Sequence, residues 1–135
     1  LAPARGTTER AQFYKWLARM TNTLQASLIL YFYPERWVDE GNAAGAAQVK
    51  AHAEAKVAGL LDQMDAHLAA HGREWFLGER FSVLDPFALM LSRWTRGFGR
   101  PARGLPNLGP YLQRMLARPA VRRVFSTEKL AEPYV

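Results

Sequence analysis

The stretch FSVLDPFALMLSRW, residues 81–94, decides how this chain folds. Ser82 stands three residues before Asp85, which is the spacing of a capping box at a helix N-terminus. We expect the Ser82 hydroxyl to accept the Asp85 backbone N–H and the Asp85 carboxylate to accept the Ser82 N–H. The following residues, 87–94, are apolar nearly all round, which predicts a helix covered by neighbouring elements. Ser82 and Asp85 are therefore predicted to be structural residues that start a buried helix.

The composition is that of one folded domain. The chain has 135 residues, of which 49% are hydrophobic, and no cysteine, so a continuous core is expected and thiolate metal ligands are excluded. No apolar run approaches the roughly 18 residues that span a bilayer. The first residues, LAPARG, read as a linker entering a domain. We expect a cytoplasmic protein without a membrane partner, with residues 1–135 as a single domain that another part of a longer protein precedes.

Basic residues outnumber acidic ones by 18 to 12, which gives a formal net charge of +6. Positive charge favours association with nucleic acid but identifies no binding mode. Only four of the basic residues are lysine, and the chain is rich in alanine. A GC-rich coding sequence produces this combination of arginine and alanine without selection for binding a ligand. We therefore do not expect nucleic acid as a partner. Eight arginines occur in a region without acidic residues: Arg93, Arg96, Arg100, Arg103, Arg114, Arg118, Arg122 and Arg123.

Apolar residues recur in steps of three and four along two long segments, which predicts two long helices over about residues 7–33 and 43–71. Pro34 ends the first helix, and Gly72 is the expected C-terminal cap of the second. After the helix of residues 81–94, two shorter ones are expected.

The first of these short helices covers about residues 108–116, and the other begins at Pro119, a first-turn position. No segment alternates with the period of two that a strand requires. The fold class predicted is an all-α bundle of about five helices with the third at its centre.

Polar residues crowd the middle of the first helix in TNTLQAS, residues 21–27. Asn22 and Gln25 are three residues apart and share a face, which Ala18 and Ile29 extend in the two directions. Such a strip is either a plain solvated face or the wall of a cleft that uses amide donors and acceptors, and the periodicity leaves both open.

Two histidines, His67 and His71, are four residues apart, as two zinc ligands on one helix would be. Leu68 stands where the glutamate of an HExxH motif would be, and no third ligand is apparent. We interpret the pair as a solvated helix end and predict no metal. His52 is alone on its helix and is expected at the surface.

The chain resembles, over essentially its whole length, the C-terminal all-helical domain of a bacterial cytosolic glutathione S-transferase. Residues 76–94 are similar to that family's G-x-x-F-(S/T)-x-A-D segment, residues 111–125 to its closing pair of helices, and residues 10–34 to its long first helix. Leu84 replaces the usual small residue before the aspartate, and Pro86 follows it. We expect the helix to survive, because a proline in the first turn forgoes a single bond.

The resemblance implies a two-part enzyme. A thioredoxin-like N-terminal domain binds glutathione as a co-substrate and activates its thiol, and the helical domain supplies most of the pocket for a small hydrophobic electrophile. The resemblance also implies a homodimer of the full-length parent. Because the thiol-activating part is not in these residues, we assign no catalytic residue and expect the chain alone to lack transferase activity.

The resemblance implies binding residues as well. Trp94 matches the tryptophan that ends the family's buried helix and is the best candidate for a residue of the substrate pocket. Phe98 is the second candidate. The alternative for Trp94 is that it is an ordinary core residue. The face of Asn22 should look toward the N-terminal domain. Beta-type members hold glutathione there with an asparagine, a histidine and a lysine, and these positions are occupied here by Ala18, Gln25 and Ala26.

A second function remains open at this stage. Similar helical domains are appended to translation factors and tRNA synthetases as assembly surfaces, so the chain could be a non-catalytic protein-interaction module of the same fold. The arginine-rich region after Arg93 would then be the contact surface.

Overall fold

The computed structural model describes residues 1–135 and contains five α-helices, two short 3₁₀ helices over Pro34–Trp37 and Ala102–Gly104, and no extended strand. Helix α1 is α-helical over Thr8–Arg19, π-helical over Met20–Gln25 and α-helical again over Ala26–Phe32. The predicted all-α bundle is confirmed, and no helix combines the length and hydropathy that crossing a membrane requires. The remaining helices are α2 (Ala43–His71), α3 (Leu84–Trp94), α4 (Leu108–Ala117) and α5 (Pro119–Thr127).

The helix ends follow the expected local chemistry. Asn42 caps α2 by accepting the Gly45 backbone N–H at 2.8 Å. Gly72 closes the same helix in the left-handed conformation at φ 58°, where a glycine is free of steric penalty. Pro119 occupies the first turn of α5, as predicted. These caps fix the lengths of the helices and therefore the positions of the loops between them.

The polar stretch in the middle of α1 coincides with its π-helical segment. The Thr21 hydroxyl donates to the Leu17 carbonyl at 2.9 Å, and the Ser27 hydroxyl donates to the Thr23 carbonyl at 2.7 Å. Side chains that bond back to the preceding turn compete with the regular helix ladder, and π-turns of this kind are often found at functional positions. The widened turn rotates the Ala26–Phe32 segment relative to the start of α1.

A single hydrophobic core of 24 residues joins all helices except α5, which packs on it through partly buried side chains. Helix α3 lies in its middle, with Leu84, Ala88 and Leu91 completely buried. One strip of the helix reaches the surface at Met90, which is 37% exposed. The central position predicted for this helix is confirmed. The core covers most of its apolar side chains but not the strip at Met90.

Candidate functional site

A buried carboxylate, that of Asp85, joins three separate parts of the fold. Its Oδ1 atom accepts the Phe76 backbone N–H and the Tyr111 hydroxyl, both at 2.8 Å. Its Oδ2 atom accepts the Ser82 backbone N–H at 2.7 Å. Burial, followed by the charge of Asp85 and this hydrogen bond, raises the pKa of the Tyr111 phenol well above its ordinary value, so the hydroxyl stays protonated as a donor.

The predicted capping box is half correct. The bond from the Ser82 N–H to the Asp85 carboxylate is present, but the Ser82 hydroxyl accepts the Leu84 N–H at 3.2 Å, and not that of Asp85. The Asp85 N–H donates to the Ser82 carbonyl instead, because Val83 is already helical and the first turn is tighter than a capping box. The sequence pattern did not indicate Phe76 and Tyr111, which are distant along the chain.

A second carboxylate, that of Asp65 on α2, caps helix α4. One oxygen accepts the backbone N–H groups of Asn107 and Leu108 at 2.8 and 2.7 Å, and the other accepts the Asn107 side-chain amide at 2.8 Å. Burial raises the pKa of Asp65, but these three hydrogen bonds outweigh it and the pKa lies below the ordinary value. The negative charge also suits the positive end of the α4 dipole.

The histidine pair is engaged within the fold, so our interpretation of it as a solvated helix end was wrong. The Nε2 atoms of His67 and His71 lie 2.7 and 3.2 Å from the Phe76 carbonyl oxygen. Because the Arg73 backbone N–H donates to His71 Nδ1, the His71 proton is on Nε2 and points at this carbonyl. His67 is half-buried against Trp16, and no cluster of three or more potential metal ligands exists in the structure.

An open groove of about 280 Å³ lies where the ends of α1 and α3 meet. Ile29, Phe32 and Tyr33 line one side, and Trp94 and Arg96 line the other. The Phe32 and Trp94 rings meet edge to face with centroids 6.3 Å apart. Phe32 and Tyr33 are each 45% exposed, so the aromatic lining faces solvent. We call this feature the aromatic groove.

The structure divides the predicted site residues into three groups. Ile29 and Trp94 are brought together in the aromatic groove. Phe98 is buried and does not line the groove; its ring centroid lies 4.1 Å from that of Tyr31 and 6.4 Å from that of the groove residue Phe32. The other three lie on α1 outside the groove, fully or partly exposed: Ala18, Asn22 and Gln25.

Sequence reasoning missed three groove residues, Phe32, Tyr33 and Arg96. The sequence could have indicated Phe32 and Tyr33, because they follow Ile29 by three and four residues, which is the spacing of one helix face. Arg96 lies beyond the end of α3, where no periodicity constrains the direction of a side chain.

Residues 20–119 match the protein family described as glutathione S-transferase, C-terminal domain. The chain belongs to this family. Over 62 residues, this glutathione S-transferase C-terminal domain is 31% identical to glutathione S-transferase GstA of Escherichia coli O157:H7, an alignment that covers 46% of the chain and 31% of GstA.

Solved structures agree with this membership. A glutathione transferase homolog from Sulfitobacter, with bound glutathione, superimposes with a TM-score of 0.82 at 23% identity and shares the fold. A sphingomonad glutathione S-transferase complexed with glutathione gives a TM-score of 0.76 at 27% identity. The alignments cover 96% and 97% of this domain but 60% of each of those chains. The domain thus spans less than two thirds of the length of these relatives.

Proposed function

We propose that this glutathione S-transferase C-terminal domain forms the hydrophobic substrate wall of a cytoplasmic enzyme that conjugates glutathione to small electrophiles. The observation that carries the proposal is the aromatic groove between Ile29 and Trp94. Aromatic side chains exposed to water at a concave surface mark a binding site rather than a stability element. The proposal assigns the groove to the electrophile and leaves thiol activation to a separate domain.

The size of the groove fits one side of a pocket. Ligand pockets commonly enclose roughly 300–1,000 Å³, and the aromatic groove has about 280 Å³ with one side open. A second surface facing Phe32 and Tyr33 would enclose it, which is the arrangement expected if a glutathione-binding domain packs there. The same arrangement would exclude water from the electrophile.

The chemistry proposed for the enzyme is formation of a bond between the glutathione sulfur and an electrophilic carbon. The thiol proton leaves to solvent, and a leaving group such as a halide departs with the bonding electrons when the electrophile is an aryl halide. Only the thiolate is a competent nucleophile, and lowering the pKa of that thiol is the task of the other domain. Arg96 is the one charged group in the aromatic groove, so we expect a preference for electrophiles with electron-withdrawing substituents such as nitro groups.

Contacts of this domain to glutathione itself would be few. Asn22 and Gln25 offer amide groups on an accessible part of α1, and Ala18 offers none. Glutathione is therefore expected to depend mainly on the N-terminal domain. We extend the proposal to a homodimer of the full-length enzyme, as in the family.

The interaction-module alternative is not favoured, because most of the arginines it needs are used inside the domain. Arg100 pairs with Asp62 at 2.6 Å, and Arg118 stacks over Phe81 with 3.9 Å between the guanidinium carbon and the ring centroid. Four further arginines donate to backbone carbonyls: Arg93, Arg96, Arg103 and Arg114. These contacts account for six of the eight.

A conjugation assay tests the proposal. The purified 135-residue chain should not conjugate 1-chloro-2,4-dinitrobenzene to glutathione above the uncatalysed rate. The coding sequence upstream should specify a thioredoxin-like domain, and the longer protein should be active. Replacement of Trp94 by alanine should raise KM for the aryl halide in the longer protein, whereas Met90→Ala, on the exposed strip of α3, should not. Conjugation by the isolated chain, or an unrelated upstream domain, would overturn the proposal.

A further inference from the structure

A second groove, of about 640 Å³, shares no residue with the aromatic groove. It lies between the end of α4, the helix α5 and the segment that follows α5. We call it the C-terminal groove. The Phe125 and Tyr134 rings meet edge to face in it at 5.2 Å, and Leu116 and Leu130 extend the apolar surface. A volume of this size accommodates a small organic molecule.

Two cations on this groove, Arg122 and Lys129, have no partner in the fold. Neither side chain makes a hydrogen bond, and no carboxylate lies within 4.0 Å of either. The two ion pairs of the structure are Arg73–Glu79 and Arg100–Asp62. This distinguishes Arg122 from the six arginines that are satisfied internally. Glu132 is the one acidic residue that lines the groove, so its lining carries a net positive charge.

The backbone of Lys129 adds a second observation. Lys129 adopts φ 50°, a left-handed conformation that is uncommon for any residue other than glycine. It occupies the position after α5 where the Leu130 N–H returns to the Phe125 carbonyl at 3.0 Å, the turn that glycine usually completes. A lysine at this position is therefore not explained by the turn itself.

We propose that the C-terminal groove binds a small aromatic carboxylate. The aromatic body would lie against Phe125 and Leu116, and the carboxylate would lie between Arg122 and Lys129. Charge-assisted hydrogen bonds to a guanidinium and an ammonium are strong and favour an anion over its neutral analogue. The site is separate from the proposed electrophile site, so either assignment can fail without the other.

The probe for this site is 2-naphthoate, titrated into the 135-residue chain by calorimetry and by NMR. We expect saturable binding with a Kd that Arg122→Gln and Lys129→Gln each raise by roughly fivefold or more, as the loss of one charge-assisted bond would do. The matched control is Arg123→Gln, which removes an exposed arginine of the same helix outside the groove and should leave Kd unchanged. The neutral analogue 2-naphthamide should bind more weakly.

A glycine variant separates binding from folding. Lys129→Gly suits the left-handed backbone, so it should keep or raise Tm while it weakens 2-naphthoate binding. Weaker binding with an undiminished Tm supports the site. The proposal is overturned if 2-naphthoate does not bind saturably, if the two groove variants and Arg123→Gln have equal effects, or if the ligand perturbs Ile29 in the aromatic groove instead.

Discussion

The Tyr111 hydroxyl of α4 donates a 2.8 Å hydrogen bond to the Asp85 carboxylate of α3, and both residues are completely inaccessible to solvent. The same carboxylate holds the Phe76 and Ser82 N–H groups. A buried charge is tolerated only when its hydrogen-bonding capacity is filled, and these donors fill it. The pair therefore ties the loop before α3, the start of α3 and the middle of α4 into one unit.

Removal of either member of this pair should destabilise the domain. Tyr111→Phe deletes one hydrogen bond to a charged group and should lower the free energy of unfolding by about 1.5–3 kcal/mol. Asp85→Ala leaves several buried donors without an acceptor and should cost about 3–5 kcal/mol. Urea denaturation measures both, with Tyr31→Phe as a control because the Tyr31 hydroxyl makes no hydrogen bond. A Tyr111→Phe effect no larger than the control would show that the bond contributes nothing.

Asp65 should matter more than its neighbour Asp62, one turn away on α2. Asp65→Ala removes the cap of α4 and should cost about 1–2 kcal/mol, with faster amide exchange at Asn107 and Leu108. Asp62→Ala breaks an exposed pair with Arg100 and should change stability less. Equal losses in the two variants would contradict the capping role of Asp65.

Stability should decline as the solution becomes acidic, through His67. Burial, followed by the nearby His71 and Lys15 charges, lowers the pKa of His67 below 6.5, although its bond to the Phe76 carbonyl opposes this. Between the pKa of His67 in the folded chain and about 6.5, the unfolded chain therefore binds more protons than the folded chain. The stability that the neutral His67 contributes is complete above about pH 6.5 and is lost as pH falls through this window.

Urea midpoints measured across this pH window check the effect. The NMR signal of the Trp16 indole N–H reports it locally, because the Trp16 and His67 ring centroids are 4.6 Å apart. His67→Gln should flatten the pH dependence. The matched variant is His52→Gln, at an exposed position of the same helix, which should leave the pH dependence as it is. A decline that persists unchanged in His67→Gln would assign it to other groups.

Trp94 and Phe98 should respond differently to truncation. Phe98 is buried, so Phe98→Ala should cost about 3–5 kcal/mol of stability. Trp94 is half-buried on the aromatic groove, so Trp94→Ala should cost less stability but abolish most of the affinity for a hydrophobic aryl halide. Denaturation and ligand titration of the two variants separate these effects. Equal stability losses would mean that Trp94 is a core residue.

The parts of the fold that could be predicted from sequence are those set by local chemistry. Helix periods, Pro34, Gly72 and Pro119 placed the five helices, since each acts on its own neighbours in the chain. The Asp85–Tyr111 bond and the Asp65 cap join residues 26 and about 42 positions apart, and no local pattern encodes such pairings.

The candidate site was predicted only in part, because local patterns do not encode which distant residues meet. Ile29 was identified from helix register and Trp94 from resemblance to the family. The π-helical segment Met20–Gln25 changes the angle between Asn22 and Ile29, so the regular period that placed Ala18, Asn22, Gln25 and Ile29 on one face does not extend through it. Ile29 lies beside the groove at the end of α1, whereas Ala18, Asn22 and Gln25 lie about 6–16 Å further back along the helix axis, at about 1.5 Å per residue, and do not reach it.

The most direct measurement of the proposed function uses Ile29, which is the single isoleucine of the chain and lines the aromatic groove. Isotope labelling of its δ1 methyl group gives one NMR signal that reports on this groove alone. Titration with 1-chloro-2,4-dinitrobenzene should shift that signal saturably in the unmodified chain and not in Trp94→Ala. An Ile29 signal that does not move while the compound binds elsewhere would contradict the assignment of the groove to the electrophile.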